Sequence, residues 1–259
     1  MKPDYKNWMP KGMIWSFLGG AIGCGIIAIV LNLLLNGTLR TVLTVIFALL
    51  AIIFCGLTIW MALMHRAFSY DGKRQMSRQI IEGTAAYVKL PRGGRCLDVG
   101  CGSGALAIAV AKRNPQAEIV GIDRWGKEYA SFSRKLCENN ARAEGVKNTA
   151  FQQGDATRLE FADEAFDAVV SNYVYHNIPG DRQQYLLETL RTLKKGGAFA
   201  LHDIFSQSKY GDMQAFVKQL RDMGYQKVEL IDTTDGKFMT KFEAGWMALS
   251  GSALLTGIK

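Results

Sequence analysis

The chain has 259 residues, room for one sizeable α/β domain and an appendage. Its net charge of +8, from 31 basic and 23 acidic residues, would suit nucleic acid, an anionic membrane surface or an anionic ligand, but no Arg/Lys cluster interleaved with aromatics supports the first. The five cysteines form no CxxC pair and no Cys/His group has zinc-site spacing, so they read as reduced structural thiols and no metal is expected.

Apolar residues crowd the first quarter of the chain. Ile14 to Leu35 and Val42 to Met64 carry no charge, and each exceeds the roughly 20 residues that cross a ~30 Å hydrocarbon core as a helix. Asn36-Gly37-Thr38 supplies turn chemistry between them, which predicts a transmembrane α-helical hairpin. Gly19 and Gly23 form a small-xxx-small pair that would allow close helix contact. A cleaved signal peptide fits poorly, because no small-residue cleavage site follows the first stretch and a second span comes next. Neither stretch has the strongly polar face of an interfacial helix. Lys2, Lys6 and Lys11 precede the first span, and His65-Arg66, Lys73, Arg74 and Arg78 follow the second, while the connecting turn offers only Arg40. The positive-inside rule therefore predicts both termini, and the domain that follows, in the cytoplasm.

From about Ser77 the texture changes to alternating strand and helix signals. Strands are predicted at 95–99, 119–123, 150–154, 166–171, 198–201, 227–231 and 252–258, and helices at 105–112, 127–144, 181–192 and 214–223. Such alternation argues a parallel, doubly wound sheet. The first strand runs into Gly100-Cys101-Gly102-Ser103-Gly104, where glycines permit a tight turn and let a ligand approach the backbone. Gly100, Gly102 and Ala105 also satisfy a dinucleotide fingerprint. Asp123, about 20 residues on and ending the second strand, can accept ribose hydroxyls in either kind of enzyme. Gly154-Asp155-Ala156 closes the third strand, where a carboxylate can accept an adenine amino group.

In this order the segments LDVGCGSG, GID, GDA and LKKGGAF resemble the class I S-adenosylmethionine-dependent methyltransferase family, over roughly Tyr70 to Lys259. The resemblance implies a Rossmann-like seven-stranded sheet whose reversed last strand lies between the fifth and sixth. It implies S-adenosylmethionine as cofactor, leaving as S-adenosylhomocysteine. Gly100, Gly102 and Gly104 would meet its methionine part, Asp98 would orient the amino-acid end, Asp123 with Arg124 would lie at the ribose, Asp155 and Ala156 at the adenine, and Asn172 beside the departing methyl. The chain thus divides into an anchor over residues 1–65 with spans at about 14–35 and 42–64, a basic juxtamembrane linker over 66–80, and a methyltransferase domain over 81–259.

The loop after the fourth strand reads Ser171-Asn172-Tyr173-Val174-Tyr175-His176-Asn177, not the Asn/Asp-Pro-Pro-Tyr/Phe of enzymes that methylate planar nitrogens, which argues against nucleic-acid bases. Tyr173, Tyr175 and His176, with His202 and Asp203 at the end of the fifth strand, would border the crevice, and His176 is the first choice for a general base. The expected acceptor is a small lipophilic or lipid-derived molecule, its reacting atom open, with membrane lipid as the other partner. Two other readings stay open: an NAD-dependent oxidoreductase on a similar sheet, and a non-enzymatic membrane module with a vestigial pocket.

Overall fold

A computed structural model describes residues 2–126 and 131–259. Contacts divide them into two bodies: residues 7–77, and a sheet body made of residues 2–6 together with 78–259.

The first body is a helical pair, α1 (Lys11–Leu34) and α2 (Gly37–Phe68), of 24 and 32 residues. Both outrun the apolar stretches, because backbone hydrogen bonding continues into their polar flanks until Pro10 and Ser69. Over an 18-residue window their mean hydropathies reach 2.3 and 2.9, and both are long and apolar enough to cross a bilayer. Leu33, Leu34 and Ile52 stand 75%, 75% and 67% exposed. Gly19 and Gly23 do not make the close helix contact that their spacing suggested, since a Cβ at either would meet nothing within 4 Å. Gly20 does, lying 3.3 Å from the Phe54 ring by the same measure.

The sheet body holds seven strands in the order β3-β2-β1-β4-β5-β7-β6, with β7 antiparallel to both neighbours. These are β1 (Arg95–Val99), β2 (Glu118–Asp123), β3 (Thr149–Gln153), β4 (Phe166–Asn172), β5 (Leu193–Ile204), β6 (Gln226–Asp232) and β7 (Ser252–Ile258). The fold is the α/β class expected, with the last strand reversed between the fifth and sixth. β1 and β4 are buried along nearly their whole length, as parallel strands covered on both faces must be. The helices are α3 (Met76–Ala85), α4 (Ala105–Arg113), α5 (Arg134–Ala143), α6 (Arg182–Arg191), the short α7 (Gln207–Tyr210), α8 (Met213–Asp222) and α9 (Lys241–Trp246). α6 and α8 start where Asp181 and Asp212 accept the first free backbone N–H groups. α9 is closed by a Thr240–Glu243 capping box.

Three segments differ from expectation. β5 takes in Lys194-Lys195-Gly196-Gly197, ahead of the strand predicted at 198–201, because Gly196 N–H and Lys259 N–H pair across to Lys259 and Gly197 carbonyls. α5 begins at Arg134, where the Ser133 hydroxyl caps Leu136 N–H, and part of the predicted helix, 127–130, lies outside the described residues. Residues 2–6 belong to the sheet body. Asp4 N–H donates to Asn140 Oδ1 (2.7 Å), Asn140 Nδ2 donates back to Asp4 O (2.9 Å), and the Tyr5 hydroxyl reaches Glu144 Oε1 (3.0 Å).

Candidate active site

The crevice lies at the carboxyl ends of β1, β2 and β4, where the strand order turns back at β1/β4. The turn from β1 into α4 is forced by its glycines. Gly100, Gly102 and Gly104 have φ of 73°, 55° and 79°, all left-handed. A Cβ on Gly100 would collide with the Val174 side chain. One on Gly102 would meet, among the described residues, only Phe132, at 3.9 Å, which leaves room there for a ligand.

Outside bonds hold the turn in place. Asp123 Oδ2 accepts Gly102 N–H at 2.8 Å, and its Oδ1 accepts Trp125 N–H at 2.7 Å. The Gly102 carbonyl accepts the Trp125 indole N–H (3.0 Å) and the Cys137 thiol (3.1 Å), and Asn140 Nδ2 donates to Ser103 O (3.0 Å). Trp125, Cys137 and Asn140 were not foreseen as site residues. For the latter two, the apolar-polar spacing of α5 on its buried face was the available signal.

Asp98 is 1% exposed and accepts one backbone bond, from Ala107 N–H in the first turn of α4, at 2.9 Å. Burial pushes its carboxyl up to about 8, against the Ala107 bond and with help from the Asp123 charge. Asp155 is exposed beyond β3, and its Oδ1 accepts Thr157 N–H and the Thr157 hydroxyl, which hold it below the usual carboxylate range, with the Arg124 charge adding to this. Its Oδ2 accepts no hydrogen bond among the described residues. Ala156 packs against the core beside it.

The β4 side is built from side chains. Asn172 ends β4 opposite His202 on β5. Tyr173 follows with φ of 55°, then a single 3-10 turn, Tyr175–Asn177. Asp203, 1% exposed, is the hub: its Oδ2 accepts Tyr175 N–H (2.9 Å) and His176 N–H (3.3 Å), while its Oδ1 accepts Ile204 N–H (2.7 Å) and lies 2.5 Å from His176 Nδ1. A carboxylate so placed accepts a hydrogen bond from His176 Nδ1–H, which leaves the lone pair of the ring on Nε2, and the side chain is 14% exposed. Tyr173 wedges between the imidazoles of His176 and His202, at ring-centre distances of 5.9 and 4.7 Å. Its hydroxyl bonds Ser252 Oγ at 2.7 Å, and burial raises the phenol well above its usual range. Tyr175, expected at the crevice, has a ring only 1% exposed and a hydroxyl bonded to Thr189 Oγ1 at 2.5 Å, so it packs in the core.

A family model described as "Methyltransferase domain" matches residues 90–245. Demethylmenaquinone methyltransferase of Geobacillus kaustophilus is 30% identical over 130 residues, covering 50% of this chain and 53% of that protein. The 27-O-demethylrifamycin SV methyltransferase of Amycolatopsis mediterranei is 25% identical, covering 67% and 62%. The chain spans about half the length of the curated relatives it matches. In structure it resembles the YcgJ protein of Bacillus subtilis (TM-score 0.52, 20% identity, 70% of this chain and 98% of that one). It resembles the [4+2]-cyclase SpnF equally (TM-score 0.55, 22%, covering 74% and 85%). At these identities the structural likeness speaks for the fold alone. The dinucleotide-oxidoreductase reading gives way to the family match, which spans more than half the chain: the protein belongs to the methyltransferase domain family.

Proposed function

We propose that this methyltransferase is held at a membrane by α1 and α2, with its sheet body on the cytoplasmic side, and that it methylates a small lipophilic acceptor of the quinol type. The observation that carries the chemistry is the His176–Asp203 pair at the mouth of the crevice. S-adenosylmethionine supplies an electrophilic methyl on a sulfonium, and the acceptor must give up a proton as the new bond forms. His176 Nε2 takes that proton, and the buried Asp203 carboxylate stabilises the imidazolium that results. Residue roles toward the cofactor follow the family pattern: the Gly100–Gly104 turn and Asp98 at the methionine end, Asp123 with Arg124 at the ribose, Asp155 and Ala156 at the adenine, Asn172 on the methyl side. The donor set suits this ligand, since Asp98 is a buried carboxyl awaiting an ammonium group and Gly102 leaves open space above its backbone.

Two lines support the acceptor class. Several similar proteins are named for demethylmenaquinone or for ubiquinone and menaquinone biosynthesis. The outward side chains of α1 and α2 are apolar and charge-free over a bilayer's thickness, and covering them with lipid removes the large penalty of exposing them to water.

The full chain in liposomes, given methyl-labelled S-adenosylmethionine and a panel of demethylated quinols, alkyl thiols and lipid amines, should transfer label to the quinols. His176→Ala should lower that rate by about 10²–10⁴ and leave cofactor affinity unchanged. Label found only on water-soluble acceptors, or full activity in that variant, would overturn the reading. Protease added outside intact cells should leave the sheet body whole.

A further inference from the structure

His202 is 1% exposed, with Nδ1 2.8 Å from Asn172 Oδ1 and Nε2 2.9 Å from Thr233 Oγ1. The proton positions follow from the far end of this chain of contacts. Thr233 Oγ1 lies 2.9 Å from the Ser252 carbonyl oxygen, and two oxygens that close repel unless a proton sits between them. The carbonyl has none, so the hydroxyl donates. With its single proton spent, Thr233 Oγ1 can only accept from the ring, so Nε2 carries the hydrogen. A second ring proton is opposed by burial, which pushes His202 down to about 3. The neighbouring Asp203 carboxylate could oppose that, but it is already occupied by three backbone N–H groups and His176. Nδ1 is therefore a bare lone pair, an amide oxygen 2.8 Å away would face it lone pair to lone pair, and the Asn172 amide must exchange its two ends at this contact so that nitrogen meets the ring. The two ends of an amide are almost equal in size, so proton count decides their order and packing does not.

We infer that the buried His202–Thr233–Ser252 relay fixes Asn172 with its carbonyl oxygen turned to the crevice, as an acceptor aimed at the positively charged, methyl-bearing end of the cofactor. His202 is then a positioning residue. This rests on the reading above that the crevice holds S-adenosylmethionine with its sulfonium on the β4 side. A carbonyl dipole there favours the sulfonium of S-adenosylmethionine over the neutral thioether of S-adenosylhomocysteine, whereas an outward amide NH₂ would do the reverse.

The chain has three histidines, so nitrogen-15 correlation spectra of the detergent-solubilised full protein can be assigned by single substitution. His202 should show the Nε2–H tautomer with a bare Nδ1; an Nδ1–H tautomer or an imidazolium would overturn the inference. Thr233→Val removes the acceptor for Nε2, so the tautomer should invert and the amide turn round. Calorimetry on that variant should find S-adenosylmethionine weakened about 3–10-fold more than S-adenosylhomocysteine. Equal weakening of both ligands with an inverted tautomer would overturn the role given to the Asn172 oxygen. Failure of the unaltered protein to bind either ligand would overturn the cofactor reading itself, and the tautomer would then stand as structure without that role.

Discussion

The two sides of the crevice are held by different means. On the β1 side the ligand surface is main chain: three left-handed glycines, with backbone N–H and C=O groups tied down by Asp123, Trp125, Cys137 and Asn140. On the β4 side it is a web of side chains around Asp203 and His202, drawn from β4, β5 and β7 and the turn after β6. A main-chain surface can bind one ligand in many relatives, because it needs only glycines at fixed spacing. A side-chain web can be re-cut for each acceptor while the sheet beneath stays the same.

Substitutions on the two sides should therefore fail differently. The largest effect is expected at Gly102→Arg, which places a long side chain in the open space above a left-handed residue. Calorimetry should find cofactor binding lost by at least about 100-fold, with circular dichroism unchanged. Retained affinity would show that the main-chain side is not the cofactor side.

On the opposite side, Asp203→Asn should cut methyl transfer to the quinol panel by about 10–100-fold, with cofactor affinity held. The amide still accepts a hydrogen bond but no longer balances an imidazolium. A matched loss of cofactor binding would merge the two sides and sink the contrast.

Asp98 gives a sharper, pH-dependent test. With its carboxyl raised to about 8, the cofactor-free protein holds a proton there at neutral pH. An ammonium ligand needs the ionised form, so affinity should rise between pH 6 and 8, approaching tenfold per unit, and this rise should vanish in Asp98→Asn. Folding follows the opposite sign. A carboxyl raised in the folded state withdraws stability as pH climbs from its unfolded value near 3.9 toward 8. Asp98→Asn keeps an acceptor for Ala107 N–H and removes that loss, so it should melt a few degrees higher at pH 7 in the absence of ligand. A lower melting point would mean that the carboxylate is charged and paired.

The smallest effect is expected at Asn140→Ala, which leaves the Ser103 carbonyl and the Asp4 amide without partners. Stability should fall by about 1–3 kcal/mol in urea titration, and cofactor affinity a few-fold.

The same contrast governs what could be read in advance. LDVGCGSG, GID and GDA are local patterns, each complete within a few residues, and they disclosed both the sheet and its main-chain side. Asp203 lies 27 residues from His176, and Thr233 lies 31 from His202. Only the register of β4 on β5 and the return of β7 bring them together. Tyr175 misled for a related reason. A 3-10 turn sets successive side chains about 120° apart, so its ring fell to the core while His176 beside it stayed at the mouth. The placement of residues 2–6 could not be foreseen either, since nothing in Lys2-Pro3-Asp4-Tyr5 announces a partner 136 residues away.

That short segment changes how the chain should be cut. The helices are spliced into the sheet body rather than prefixed to it, because the body supplies residues on both sides of them. Trimming from the front to remove the two helices discards Asp4 and Tyr5 and opens the far face of α5, the helix that braces the glycine turn. Excising 7–77 and rejoining the cut ends through a flexible linker would spare them.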